Sequence, residues 1–393
     1  MKKCLLVATL ALAAHVAFAQ DFGVIINQNF TLADQNYIYY SAAALPWFAA
    51  PLGEQVDLYL SAAGGFEFED GEGVSPLFEV NRFELTYRPA AALNFTVGRQ
   101  NFRDSTGFVM SGLFDGVSAV VNFNGGQLNP GVFYTGLLYK KTASISLNIQ
   151  DYIDYYDDDL YFASRRIAGG LNWEKTGIFD SQASLHVSGI FQFDLNDTDI
   201  IVHSQYLAAK TAVPLTDTFN LNCGAMLELL EETDQDVRAA FAAAVDIQQL
   251  FYGAFPGMLA AGGRFSSGAW NDNIGAFVPI TGEAQGRVLR PNLSGIALLH
   301  AGYTVRLRRA LYAELSAAYL FRTDSAAFAD HDLDLDSDSP ALGGECYLGV
   351  SWSPLSDLMF TLGGGLFFPG MGNSFVDDAK VKYRFELTAG ISL

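Results

Sequence analysis

Three cysteines in 393 residues are too few for a disulfide framework, and no Cys/His spacing of a zinc site occurs. Cationic side chains are also scarce. The chain holds 23 Lys and Arg against 43 Asp and Glu, a net charge of −20. A surface of that sign disfavours a nucleic-acid partner, because phosphate binding needs the opposite charge. Beyond residue 20 no run of about 18 apolar residues is present, so no membrane-spanning helix is encoded. Histidine is rare as well. His186, His203, His300 and His331 stand in no arrangement that reads as a nucleophile with its base, so the chain is not read as an enzyme such as a protease or lipase barrel. Nothing calls for a cofactor.

What is present is apolar and scattered. Half of the residues are hydrophobic, and the 18 Tyr and 31 Phe suit aromatic girdles at a membrane interface. The pattern is plainest at the C-terminus. Val381, Tyr383, Phe385, Leu387, Ala389, Ile391 and Leu393 alternate with Lys382, Arg384, Glu386, Thr388, Gly390 and Ser392. Successive side chains of a strand point to opposite faces, so this stretch has one greasy face and one wet face. A membrane barrel must pair its last strand with its first, since lipid offers an open edge no partner. Residues 381–393 are therefore read as the closing strand of a transmembrane β-barrel.

The N-terminus fits that destination. Lys2 and Lys3 precede an apolar core from Leu5 to Ala14 and an A-x-A site at Ala17–Ala19, the pattern of a cleaved secretory signal peptide over residues 1–19. Its loss removes two positive charges and takes the net charge from −20 to about −22. Cys4 lies ahead of the apolar core and is not a lipid-attachment site. Cys223 and Cys346 fall on the apolar faces of separate strands, so no disulfide between them is expected. Residues 20–393 then form one barrel. Strands begin almost at once after Gln20, which leaves no room for a plug, so a hydrophobic-ligand transporter is set aside.

Alternating segments recur from end to end. They include 22–30, 38–45, 55–65, 78–88, 93–98, 116–123, 131–139 and 163–173 in the first half. The later set runs 182–193, 201–213, 219–230, 237–248, 257–266, 294–307, 311–321, 342–352, 358–368 and 380–393. The count is about 18 antiparallel strands, with 16 as the other possibility, joined by short periplasmic turns and long extracellular loops. Residues 144–150 alternate too and are expected to extend a strand, with DYIDYYDDDLY behind them as a solvated acidic loop. A soluble β-sandwich would explain alternation, but not the apolar C-terminus, the signal peptide and the strand number together.

Residues 97–116, VGRQNFRDSTGFVMSGLFDG, carry a GRQ strand end at Gly98–Gln100 and an F-D-G strand start at Phe114–Gly116. LFRT at 320–323, LGGE at 342–345 and GGGLFFPG at 363–370 add to it. In these motifs the chain resembles the alginate-export family of outer-membrane porins. The resemblance implies an 18-stranded channel for anionic saccharides or small solutes. The alginate exporter's pore is strongly electropositive, and here the charges of the wet faces nearly balance.

The wet faces supply the candidate pore lining. Arg82, Arg88, Arg238, Arg264, Arg306, Arg322 and Arg384 are the cations, with Arg166 and Lys382 of the same parity. Asp246, Glu314, Glu345 and Glu386 are the anions, joined by Asp57, Glu84, Glu174 and Glu228. Opposed charges around a wet lumen filter ions and polar solutes, or they cross-link strands and stiffen the wall. Each charge placed on the lipid face would cost roughly 2–4 kcal/mol at mid-membrane, so their shared parity supports the register. Arg99 shares the greasy parity of Phe95 and Val97. It is either a salt-bridge partner of Asp104 or Asp115 or a lining residue of the constriction.

Surplus acid falls in the expected outer loops, around residues 67–72, 151–159, 231–234 and 377–378. Asp330, Asp332, Asp334, Asp336 and Asp338 recur at every second position. Oxygen-rich spacing can hold calcium, but the EF-hand glycine and closing glutamate are missing, so a solvated loop is favoured. The loop 268–293, with Trp270, Phe277 and Pro279, is apolar enough to fold inward and narrow the pore. The expectation is a porin-like channel in the outer membrane, embedded in lipid, passing small polar or anionic solutes, possibly saccharides. The alternative is an adhesin or structural barrel acting through its acidic loops. The oligomeric state is left open.

Overall fold

In the computed structural model, residues 20–157, 159–178, 182–198, 200–324, 328, 330–334 and 336–393 are described. The signal peptide expected over residues 1–19 lies outside them. Strands β1 (Asp21–Ala33), β2 (Tyr37–Pro51), β3 (Val56–Glu69), β4 (Gly73–Ala90), β5 (Leu93–Arg103) and β6 (Ser111–Phe123) follow one another as hairpins. β7 (Gly126–Tyr134) leads to two short helices, α1 (Lys140–Ala143) and α2 (Ile149–Tyr156). The chain resumes with β8 (Arg166–Ile178), β9 (Ala183–Asp194), β10 (Val202–Pro214), β11 (Phe219–Glu232), β12 (Arg238–Phe251) and β13 (Gly257–Ser266). It ends with β14 (Ile296–Arg308), β15 (Leu311–Arg322), β16 (Ala341–Leu355), β17 (Leu358–Phe368) and β18 (Lys382–Ser392).

All neighbours are antiparallel, and β1 pairs with both β2 and β18, so the 18-stranded sheet closes on itself. The seam is zipped to its end: Val24 N–H donates to Leu393 O at 3.0 Å and Leu393 N–H returns to Val24 O at 2.9 Å. Closure satisfies the backbone without water, which is the condition for crossing lipid with strands. The exterior is greasy. Val97, Val117, Leu171, Leu207, Leu299, Leu315 and Leu348 all point outward and are exposed. In water such a band would be an aggregation surface; around a barrel it is the lipid-facing belt.

Short turns gather at the end that holds both barrel termini, and long connections at the other. Two boundaries differ from expectation for local reasons. β2 runs through Pro46 to Pro51, so its turn begins only at Leu52. β4 carries a bulge, where Ser61 faces Arg82 but Ala62 faces Val80. Asn81 is the extra residue, and it switches the outward parity from Phe78 and Val80 to Phe83, Leu85 and Tyr87. Residues 144–150 do not extend a strand; the turn of α2 starts at Ile149. Asn148 and Asp151 form a reciprocal capping box there.

Candidate functional site in the lumen

Two long connections turn into the barrel. Asp104 fixes the first, residues 104–110. Its carboxylate accepts backbone N–H bonds from Thr106, Gly107, Val109 and Met110 at 2.7–3.0 Å. Val109, Met110 and Phe102 pack in a buried apolar cluster with Phe114, Phe133 and Phe277. Ser105 N–H donates to Ser188 of β9 at 2.8 Å, so the loop lies along the inner wall.

The second connection spans residues 267–295 and acts as a strap. Trp270 stays outside, against Phe241 and Phe265. The chain then dives inward at Phe277, which is fully buried. Val278 N–H donates to Glu228 at 2.8 Å, and Tyr206 donates to Val278 O at 2.6 Å. Further on, Glu345 accepts backbone N–H bonds from Arg287, Val288 and Leu289 at 2.6, 3.0 and 3.2 Å. Arg287 pairs with Glu314 at 2.7 Å and lies over the Tyr347 ring. Arg290 pairs with Glu386 at 3.3 Å. Every wall partner in this set is an inward-facing residue, so the strap crosses the lumen surface from β10 to β18. Thr281 joins it to the first loop through Val109 O at 3.2 Å.

Two hollows flank the strap. The smaller, about 290 Å³, is lined by Arg103, Lys210, Asp246 and Asn222. The larger, about 450 Å³, is lined by Arg287, His300, Glu314 and Glu345. Arg264 and Glu283 line both, so the hollows are contiguous. Arg264 is held there by Gln285 at 2.6 Å and by the face of Phe108. Among the described residues, Arg103, Lys210 and Arg264 have no ion pair with an acidic side chain. Loop direction brings Glu283, Arg287 and Arg290 into the lumen, and Arg103, the last residue of β5, shares the parity of the outward Phe95 and Val97, so strand parity could not have found them.

The expected lining residues divide into three groups. Arg264, Asp246 and Glu314 border the hollows. Arg88 with Asp57 and Arg238 with Glu232 at 2.6 Å join neighbouring strands of the inner wall, Arg82 with Glu84 at 2.6 Å and Arg384 with Glu386 at 2.7 Å pair along a single strand, and Arg306 has the inward parity of its strand. Arg322 and Glu345 are buried under the loops they hold, Glu345 also at the edge of the larger hollow; Arg322 donates to Ser339 O at 2.8 Å.

Arg99 has no guanidinium free to line a channel. Nε and Nη2 form a bidentate pair with Asp115 at 2.9 and 2.8 Å, and Nη1 reaches Glu79 at 2.9 Å. Its remaining donors go to Val80 O at 2.6 Å and Leu137 O at 2.7 Å. Of the two expected roles, the ion pair is the arrangement found, with Asp115 rather than Asp104. Gly98 makes it possible: its φ of +119° is a glycine conformation, and a Cβ there would collide with the Phe83 carbonyl.

The acidic loops are less solvated than their composition suggests. Asp151 is buried, accepting from Arg166 at 2.7 Å, with Asp194 on the same guanidinium at 3.0 Å. Lys382 inserts its ammonium between Asp330 and Asp332 at 2.9 and 3.1 Å, where a cation would otherwise be needed. Cys223 and Cys346 are free thiols on separate strands.

No protein-family model matches the chain, and no curated protein matches it by sequence. The alginate-export resemblance therefore rests on its short motifs alone. Solved structures do match. The chain is 14% identical to the outer membrane protein OprD from Pseudomonas aeruginosa, over 96% of this chain and 95% of that one, with a TM-score of 0.60. The Pseudomonas aeruginosa outer membrane protein opdK is 11% identical over 95% and 99% of the chains, TM-score 0.60. OccK5 (OpdH) of the same organism is 11% identical over 95% and 98%, TM-score 0.60. The fold is that of these 18-stranded, porin-like outer-membrane barrels.

Proposed function

We propose that the protein is an outer-membrane channel for passive diffusion of small polar or anionic solutes, saccharides of the alginate kind among them. One observation carries this reading. A closed barrel, greasy outside, brings Arg103, Lys210 and Arg264, which have no ion pair with an acidic side chain among the described residues, to a wet hollow that two inward loops narrow. Charges confined by low-dielectric walls act strongly on a passing solute. The reading is non-enzymatic: Ser184 Oγ stands 3.1 Å from His186 Nε2, with Glu174 3.6 Å from Nδ1, but these three residues line neither hollow. Single-channel recording of the full chain in planar bilayers tests it. Stable ohmic steps, with swelling of liposomes in small sugars and acids, are expected; a folded barrel without conductance overturns it.

One feature favours attachment as a second reading. Helix α2 buries Asp151 and exposes Ile149, Tyr152, Ile153 and Tyr156, an amphipathic helix with its greasy face outward. A non-conducting barrel that adheres to surfaces, and loses adhesion on Tyr152→Ser with Tyr156→Ser, is the outcome on that side.

A further inference from the structure

Gly262 of β13 sits in register between Asp246 of β12 and His300 of β14. Glycine leaves the space above the middle strand open, and His300 Nε2 reaches across it to Asp246 Oδ1 at 2.9 Å. A side chain at 262 would block this: its Cβ would fall on Asp246 and the Val245 carbonyl. Asp246 lines the smaller hollow and His300 the larger. The pair therefore stands where the two hollows meet, beside Arg264 and Glu283, which line both.

We infer that His300 is a specificity-determining residue of this channel, a titratable selector whose protonation turns a charge-balanced constriction toward anions. The inference rests on the channel reading. An ionised carboxylate only accepts, so Asp246 fixes the proton of the neutral ring on Nε2. Nδ1 is then the atom that takes up the second proton; it is buried, and no hydrogen-bond partner among the described residues occupies it.

The charges around the ring make that proton count. Arg103, Lys210, Arg264 and Arg287 are the cations lining the two hollows. Asp246, Glu283, Glu314 and Glu345 are the anions. Four face four, so a neutral imidazole leaves the site at balance and an imidazolium leaves it with one positive charge in excess. These groups come from every element packed around the ring: Asp246 from β12, Arg264 from β13, Glu314 from β15, Glu283 and Arg287 from the strap. Histidine is the side chain whose unperturbed charge change falls between pH 5 and 8.

The experiment is the reversal potential of the full chain under a KCl gradient in planar bilayers, from pH 8 to pH 5. The wild type is expected to raise its chloride-to-potassium permeability ratio about twofold or more on acidification. His300→Gln keeps a hydrogen-bond donor for Asp246 and abolishes the rise. His186→Gln, at the other lumenal histidine, which lies 3.6 Å from Glu174, leaves the rise intact. A wild type whose selectivity is flat with pH, or a rise that survives His300→Gln, overturns the selector while the channel reading stands. Absence of conductance at every pH overturns both.

Discussion

At the scale of the residue, Arg99 is a clamp. It ties β4, β5 and β6 to the connection after β7 through Glu79, Asp115 and two carbonyls. Removing one partner of a buried pair leaves charges uncompensated, so Arg99→Ala is expected to cost about 3–5 kcal/mol in urea unfolding from detergent. The reversal potential of the folded fraction stays at the wild-type value. Lys141 in α1 makes a different kind of pair, 3.0 Å from both Glu69 and Glu72. Burial opposes its charge, but the two carboxylates outweigh burial and raise its pKa above the ordinary lysine value. A lysine raised on folding stabilises fully below its unfolded pKa, near ~10.4, and that stability fades only as pH climbs through the raised value. Protease resistance of the 135–165 connection is therefore expected to hold up to pH 10 and to fail at neutral pH in Lys141→Met.

At the scale of the element, the strap is the informative piece. Three of its backbone N–H groups converge on Glu345. Glu345→Ala leaves those donors without their acceptor and frees the segment 286–290. Single-channel conductance is expected to rise and its open-state noise to increase; unchanged conductance would show that the strap does not narrow the path. The strands were legible because lipid and water impose opposite demands on alternate side chains, and Val381–Leu393 states that demand without interruption. Two elements were not. Asn81 inserts one residue into β4, and no local composition distinguishes a bulge from a continuing strand. SISLNIQ at 144–150 alternates over too short a window to tell strand from helix. The signal that decides it, the capping box of Asn148 and Asp151, begins inside that window and closes one residue beyond it. Arg287 and Arg290 escaped because the path of a loop is set by distant partners, here Phe277 in its pocket and Glu345 some strands away.

At the scale of the whole molecule, closure is the property on which the others depend. β1 is held on both sides, and its β18 seam ends at Ile25–Ser392 and the Val24–Leu393 pair. Deleting residues 391–393 exposes several β1 backbone groups to lipid, each costing of order several kcal/mol unpaired. The shortened chain is expected to lose the gel shift between heated and unheated samples that marks a folded barrel. Within that closed frame, the part that meets a solute is suspended mostly by its main chain. Glu345 grips amides, and an amide is the same whatever residue bears it. The identity at 283 can thus be exchanged without disturbing what carries it, whereas Arg287 and Arg290 also tie the strap to Glu314 and Glu386. A lineage, or a protein engineer, can retune the filter as one changes a lens, leaving the mount untouched.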